Sequence, residues 1–383
     1  MASLPPPSED ARQHSDKLCA QIRAEIDMQG GWIPFSRFME LALYAPGLGY
    51  YAAGARKFGS SGDFTTAPEI SSLFGRTLAR QLSEIMSASQ PHILELGAGS
   101  GKLALDILTE LDNIDQLPNT YSILEVSADL RERQQHLLHT SLPRLYSRIR
   151  WLDVLPENIS GAVFGNEVLD ALPVHLVCWA NQQIFERGVV LTGSQFNWQD
   201  KLLEDSPLRQ LAQQISVPDG YCSEISPASR GLVASLCDRL RQGALLFIDY
   251  GFGAREFYHP QRMQGTLMCH YRHFAHDDPF FLPGLQDITA HVDFTAIAES
   301  AIDHGANLLG YTSQAHFLIN GGIAELIRDI SPDDPAAYLP LSSQIQKLTS
   351  PAEMGELFKV IALGKGMDQP LKNFLQGDMS RHL

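Results

Sequence analysis

No stretch of this chain reaches about 18 consecutive apolar residues, the length a membrane-crossing helix needs, so no span is expected. Cysteine is sparse. The five, Cys19, Cys178, Cys222, Cys237 and Cys269, are scattered, odd in number and without a C-x-x-C pair. Free thiols in a reducing compartment are the expectation. Basic residues are few beside the acids, 29 against 44, for a formal charge of −15. That argues against nucleic acid as the main partner, because phosphate binding needs a basic field. The acidity serves solubility and would attract a basic substrate segment. The opening MASLPPPSEDARQ has neither the apolar core of a signal peptide nor an arginine-rich amphipathic pattern, so a cytoplasmic location is expected. Repeats and low-complexity tracts are absent as well. With 383 residues, 44% of them apolar, there is room for one large domain with insertions or for two domains.

What is present is an alternating pattern. Residues 16–29, 36–43 and 70–87 have helical periods. The segment from Tyr44 to Ser71 is rich in Gly, Ser and Tyr, and is too long for a plain connector. Then come short apolar runs separated by helical stretches: HILELG (92–97), YSILEV (121–126), IRWLDV (149–154), GAVFGNE (161–167) and ALLFIDY (244–250). Such runs indicate an α/β fold with a parallel sheet covered on both faces. HLVCWANQQIFERGVVLTGSQFNW (175–198) alternates and reads as an antiparallel insertion. LFKVIAL (357–363) reads as an edge strand closing the sheet, after a helical insertion at about 320–355. The expected division is an N-terminal helical and loop region, 1–88, covering the active site, and a main domain, 89–383, with the antiparallel insertion at about 175–220.

The most informative stretch is ILELGAGSGKLAL (93–105), with glycines at alternate positions, Gly97, Gly99 and Gly101. A P-loop needs Gly, four residues, then Gly-Lys-Ser/Thr. Here Leu96 stands five before Gly101, and Leu103 replaces the hydroxyl residue. A dinucleotide loop needs its third glycine where Lys102 stands. The S-adenosylmethionine loop, an acid, one residue, then Gly-x-Gly-x-Gly after a first strand, is matched from Glu95 through Ala98 to Gly101. An ordinary strand-to-helix turn is the plain alternative.

In an open parallel sheet, ligands lie at the carboxyl ends of the strands. Glu125 ends the second run, where a carboxylate accepts from both ribose hydroxyls or is simply a surface acid. Asp153 ends the third, placed to accept from an adenine amino group or to cap a helix before Pro156. The fourth ends in Asn166, Glu167 and, three residues on, Asp170. Methyl transfer at that position requires aligning the acceptor and removing its charge or proton. Glu167 and Asp170 are spaced to flank a guanidinium, whose donors form a rigid fork. Asp170 equally suits a helix cap or a core-edge salt bridge, and Asn166 either a substrate contact or a loop tie. His291 and Asp293, in DITAHVDF, read as a substrate-facing pair or as part of a stretch capped by Asp287 or Thr289. The spacing of Cys269, His270, His273, His276 and Asp277 permits a metal site, but no matched pair stands elsewhere, so no metal is expected. Arg131, Arg133, Arg144, Arg148 and Arg150 read as a solvated helix face.

These motifs, with LALYAPGLGYY (41–51), GDFTTAPEIS (62–71), ILEVSADLRERQ (123–134), GNEVLDALPVH (165–175), SEISP (223–227), IDYGF (248–252), YHPQRMQGTL (258–267) and FKVIALGKG (358–366), resemble the MidA-like methyltransferases over residues 30–365. Mitochondrial members of that family are assembly factors of respiratory complex I. The resemblance implies a class I, Rossmann-like methyltransferase with a seven-stranded, mostly parallel sheet and S-adenosyl-L-methionine as cofactor. It implies cofactor roles for Glu95, Gly97, Ala98, Gly99, Gly101 and Glu125, and puts Asn166, Glu167 and Asp170 on the motif after the fourth strand. Asp63 and Glu69 would close the site from above. The implied acceptor is a protein arginine, in the relatives on a respiratory-complex subunit. A small-molecule methyltransferase and a non-catalytic assembly chaperone are the alternatives.

Overall fold

The computed structural model describes residues 4–53, 66–367 and 369–383. The chain divides into two compact units, cut otherwise than at residue 88. One comprises Thr65–Leu169, Leu232–Gly253 and Val292–Leu383; the other comprises Met1–Phe64, Asp170–Gly231 and Ala254–His291.

The first unit is built on seven strands. They are β1 His92–Leu96, β2 Thr120–Leu124, β3 Ile149–Leu152, β4 Ile159–Asn166, β5 Leu240–Phe252, β6 Asn307–Ser313 and β7 Phe358–Lys365. Their order across the sheet is β6-β7-β5-β4-β1-β2-β3, and the two-residue strand Val292–Asp293 adds to β5. Strands β1 to β5 pair in parallel, as their near-continuous apolar runs imply. Parallel neighbours need a crossover, and helices Lys102–Asn113 and Ala128–Ser141 supply it between β1 and β2 and between β2 and β3. Leu78 and Leu82 of helix Ser72–Ala88 and Ile107 of Lys102–Asn113 bury with Ile93, Phe164, Leu246 and Val360 from four strands. The strand order reverses between β1 and β4, which makes their carboxyl ends the switch point of the sheet.

Strand β7 is not the edge. It lies between β5 and β6, antiparallel to both. The true edge, NLLGYTS, eluded the pattern because Gly310 and a register shift between Leu308 and Gly310 break its alternation.

The second unit holds helices Glu9–Met28 and Phe35–Tyr44 and two antiparallel sheets. Strands His175–Ala180, Gln183–Thr192 and Gln195–Leu202 form the expected insertion, extended by Tyr221–Ile225 and by Ile33–Pro34 from the N-terminal region. The other sheet is Met268–Tyr271 between Phe274–His276 and Asp287–Thr289. It carries the Cys269–Asp277 cluster, and no group of three or more metal-type ligands forms among the described residues. The motifs outside the glycine loop have structural reasons here. Buried Glu224 accepts from the Thr266 and Leu267 amides, both at 2.8 Å, and from the hydroxyls of Thr266 and Ser223. Gly265 lies at φ +74°, and a Cβ there would sit 2.4 Å from the Glu224 carboxylate. SEISP and QGTL are thus one clamp. Tyr51 donates to both oxygens of Asp287, at 3.0 and 2.9 Å, tying LALYAPGLGYY to DITAHVDF.

The expectation of five free thiols is corrected. Cys178 and Cys222 face each other across the antiparallel pair and are joined as a disulfide. Their sequence separation of 44 carries no sign of this; the strand register creates it. Cys19, Cys237 and Cys269 are free thiols. Burial pushes Cys237 up to about 11 and raises Cys269 further. Peptide mapping without reductant is expected to recover Cys178 and Cys222 as one linked pair and three alkylatable thiols after unfolding. Recovery of five would refute the pairing.

Candidate active site

The site is built at the switch point. After β1 the chain runs through Gly97, Gly99 and Gly101 at φ +63°, +53° and +83°, the left-handed region that side chains avoid. Gly101 is the N-cap of helix Lys102–Asn113, and buried Ala98 accepts from its amide at 2.8 Å. A loop of this shape, bare of side chains at alternate positions, presents backbone to whatever lies above it.

Glu125 stands just beyond the end of β2 and is buried. Its carboxylate accepts from the Ser127 amide at 2.9 Å and from Gln134 Nε2 at 3.0 Å. Gln134 was not singled out from the sequence, yet it organises the site. It is fully buried, its Nε2 also donates to the Gly99 carbonyl at 3.0 Å, and its Oε1 accepts from Trp151 Nε1 at 3.0 Å. One side chain thus ties the glycine loop, the β2 acid and β3 together. Its position in the helix after β2, with Leu130 and Leu138 one turn and more away on the buried face, was the available signal.

Glu95 lies at the end of β1, before the glycine loop. It is 1% exposed and accepts from Tyr121 Oη at 2.7 Å. Burial pushes its carboxyl up to about 8; the Tyr121 bond opposes this, and the charge of Glu125 adds to it. At neutral pH Glu95 is an uncharged strut under the loop. Glu69, in helix Ala67–Ile70, accepts from Ser100 Oγ of the glycine loop at 2.5 Å, so the structure brings it to the loop. Asp63 lies outside the described residues.

Asp153 is corrected on one count. No helix follows it to be capped, and its exposed carboxylate pairs with Arg131 at 2.5 Å. Its role as an adenine acceptor gains nothing from this arrangement. The arginine stretch is likewise more engaged than a solvated face, with Arg148 donating to the Pro118 carbonyl and Arg133 paired with Asp129. Two apolar residues next to the acids went unread: Val126 and Val154, beyond the ends of β2 and β3, are 80% and 74% exposed. Aliphatic side chains left in water at adjacent strand ends suit the faces of a flat heterocycle.

After β4 comes Asn166, whose Nδ2 donates to Glu167 Oε1 at 3.1 Å and whose buried Oδ1 has no hydrogen-bond partner among the described residues. Glu167 is held at φ +52°, a conformation that costs a non-glycine residue of order 1–3 kcal/mol and gathers at functional sites. Asp170 belongs to the second unit. It is buried there, and no helix begins at it, so the capping alternative falls. His291 also lies in the second unit, its amide bonded to Thr266 Oγ1 at 3.0 Å. Asp293 lies in the first and caps helix Phe294–Asp303 itself, accepting from Ala296 N at 3.2 Å. Asp287, read as a possible cap, instead holds Tyr51.

Comparison with known proteins agrees with this geometry. Residues 73–312 match the family model described as "Putative S-adenosyl-L-methionine-dependent methyltransferase". A Burkholderia thailandensis protein, crystallised bound to S-adenosyl-homocysteine, is 50% identical, with a TM-score of 0.96 and full coverage of both chains. The Drosophila melanogaster "Protein arginine methyltransferase NDUFAF7 homolog, mitochondrial" is 30% identical over 95% of this chain and 88% of its own. The Danio rerio counterpart is 28% identical over 87% and 83%. The chain belongs to this family of S-adenosyl-L-methionine-dependent methyltransferases.

The residues fit that cofactor. The left-handed glycines keep the loop bare where side chains would crowd its support: a Cβ on Gly97 would meet Val168 Cγ2 at 3.3 Å, and one on Gly101 would meet Gln134 at 3.3 Å. Gly99→Val is expected to abolish S-adenosylhomocysteine binding in a chain that still folds; titration calorimetry showing wild-type affinity would contradict it. Glu95 gives a pH prediction. Its folded pKa is raised, so the stability it contributes is complete below the unfolded value near 4.5 and is lost as pH rises toward about 8. Glu95→Gln mimics the neutral acid. Its melting temperature is expected to gain on wild type between pH 6 and 9, whereas a constant difference would mean that Glu95 is ionised.

Proposed function

We propose that this methyltransferase acts on a protein arginine, with Glu167 holding the guanidinium. When bound, S-adenosyl-L-methionine supplies a methyl already activated on a sulfonium, so the chain has to place the acceptor nitrogen and balance its charge. The observation that carries the proposal is the backbone of Glu167. A charged residue kept at positive φ at the switch point is a residue whose position is being enforced. Its carboxylate, oriented by Asn166, is an acceptor matched to the fork of a guanidinium. Asp170, three residues further along the chain, lies in the other unit. Within its own unit Asp170 and Asp287 both raise the pKa of Tyr51, behind the larger effect of burial, which marks an acidic surrounding compatible with a cation. The names of the relatives, protein arginine methyltransferases of mitochondria, point the same way.

The test uses tritium-labelled S-adenosylmethionine and a protein extract as acceptor, followed by hydrolysis and amino-acid analysis. Label in methylarginine is expected. Label in small molecules alone would replace the proposal with the small-molecule reading. Glu167→Gln is expected to keep S-adenosylhomocysteine affinity while transfer falls by about a hundredfold or more, in the range of a lost acid–base or charge contact. Equal transfer would place the acceptor elsewhere.

A further inference from the structure

The turn after β4 is held from beneath by a residue that none of the site assignments includes. Asp249, in the IDYGF segment of β5, is buried. Its Oδ2 accepts from the Val168 and Leu169 amides at 3.2 and 2.9 Å, and its Oδ1 accepts from the Tyr250 amide at 3.0 Å. One residue earlier, the Glu167 amide donates to the Ile248 carbonyl at 2.8 Å. Three successive amides of the turn are therefore bonded to two successive residues of β5. That is how Glu167 is kept at positive φ, since a costly backbone conformation persists only where its surroundings over-determine it.

The clamp reaches the cofactor loop through Val168. Its Cγ2 lies 3.3 Å from where a Cβ of Gly97 would stand and 3.2 Å from that of Gly165. Val168 is thus seated against the first glycine of the loop. Asp249, the turn and the loop all belong to one compact unit.

We infer that Asp249 is a positioning residue for the cofactor site: by holding the Val168 and Leu169 amides it seats Val168 on Gly97 and keeps the loop in its binding shape. The chemistry requires an acid. A carboxylate only accepts, and the Val168, Leu169 and Tyr250 amides are N–H donors. An amide in its place turns an NH2 against one of them and leaves a buried donor without an acceptor. The inference concerns cofactor binding and is independent of the acceptor.

The experiment is titration calorimetry of S-adenosylhomocysteine with the full chain as wild type, Asp249→Asn, Val168→Ala and the double variant, with circular dichroism to confirm folding. Each single change is expected to weaken binding about tenfold, and the double variant to be within about threefold of either, because both break one line of contact. Wild-type affinity in folded Asp249→Asn overturns the inference, as do losses that multiply to about a hundredfold, which would mean two separate structural effects. Should Asp249→Asn fail to fold, Val168→Ala decides: unchanged affinity there overturns the inference as well.

Discussion

The buried amide of Gln134 is the interaction on which the rest of the cofactor site depends. An amide side chain donates and accepts at once, and here it spends both functions on backbone and side chains from three consecutive parts of the sheet. Glu125 could not keep its orientation at a strand end without a donor beside it. The half-buried Gly99 carbonyl, in a loop with left-handed glycines, also takes its donor from this side chain. One neutral group meets both demands without adding charge beside the carboxylate.

The buried acids of this chain are handled in different ways, and the differences sort them by use. Glu95 is made neutral by burial and supports the loop mechanically. Glu224 and Asp249 are surrounded by backbone N–H donors and act as clamps on loops. Glu167, half-buried, stands instead on a left-handed backbone that opposes its residue type. Burial with donors stabilises a carboxylate as structure, whereas strained backbones gather at functional sites.

Much of the fold was legible because strands in a covered parallel sheet are mostly apolar. HILEL, YSIL, IRWL and ALLFIDY announce themselves, and the alternation of 175–198 announces a sheet of the other kind. The edge strand NLLGYTS was not legible, since a bulge at Gly310 breaks the period by which strands are read. In the site, glycine spacing and the acid after β2 were legible because a loop that presents backbone demands residues without side chains. Gln134, Val126, Val154 and Asp249 were not. A glutamine in a helix, an exposed valine and an aspartate in an apolar run look ordinary until their neighbours are known.

Sequence alone determined the class of sheet, the left-handed glycine turn after β1 and the cofactor class, because these rest on local chemistry: periodicity and backbone freedom. Only the tertiary structure decided which acids stay buried as struts and clamps, that Cys178 meets Cys222, that Asp293 caps its own helix, and that β5 grips the turn bearing Glu167. Each of these joins residues from 26 to more than 80 positions apart or depends on where a helix begins, and pairing register, not composition, sets such contacts.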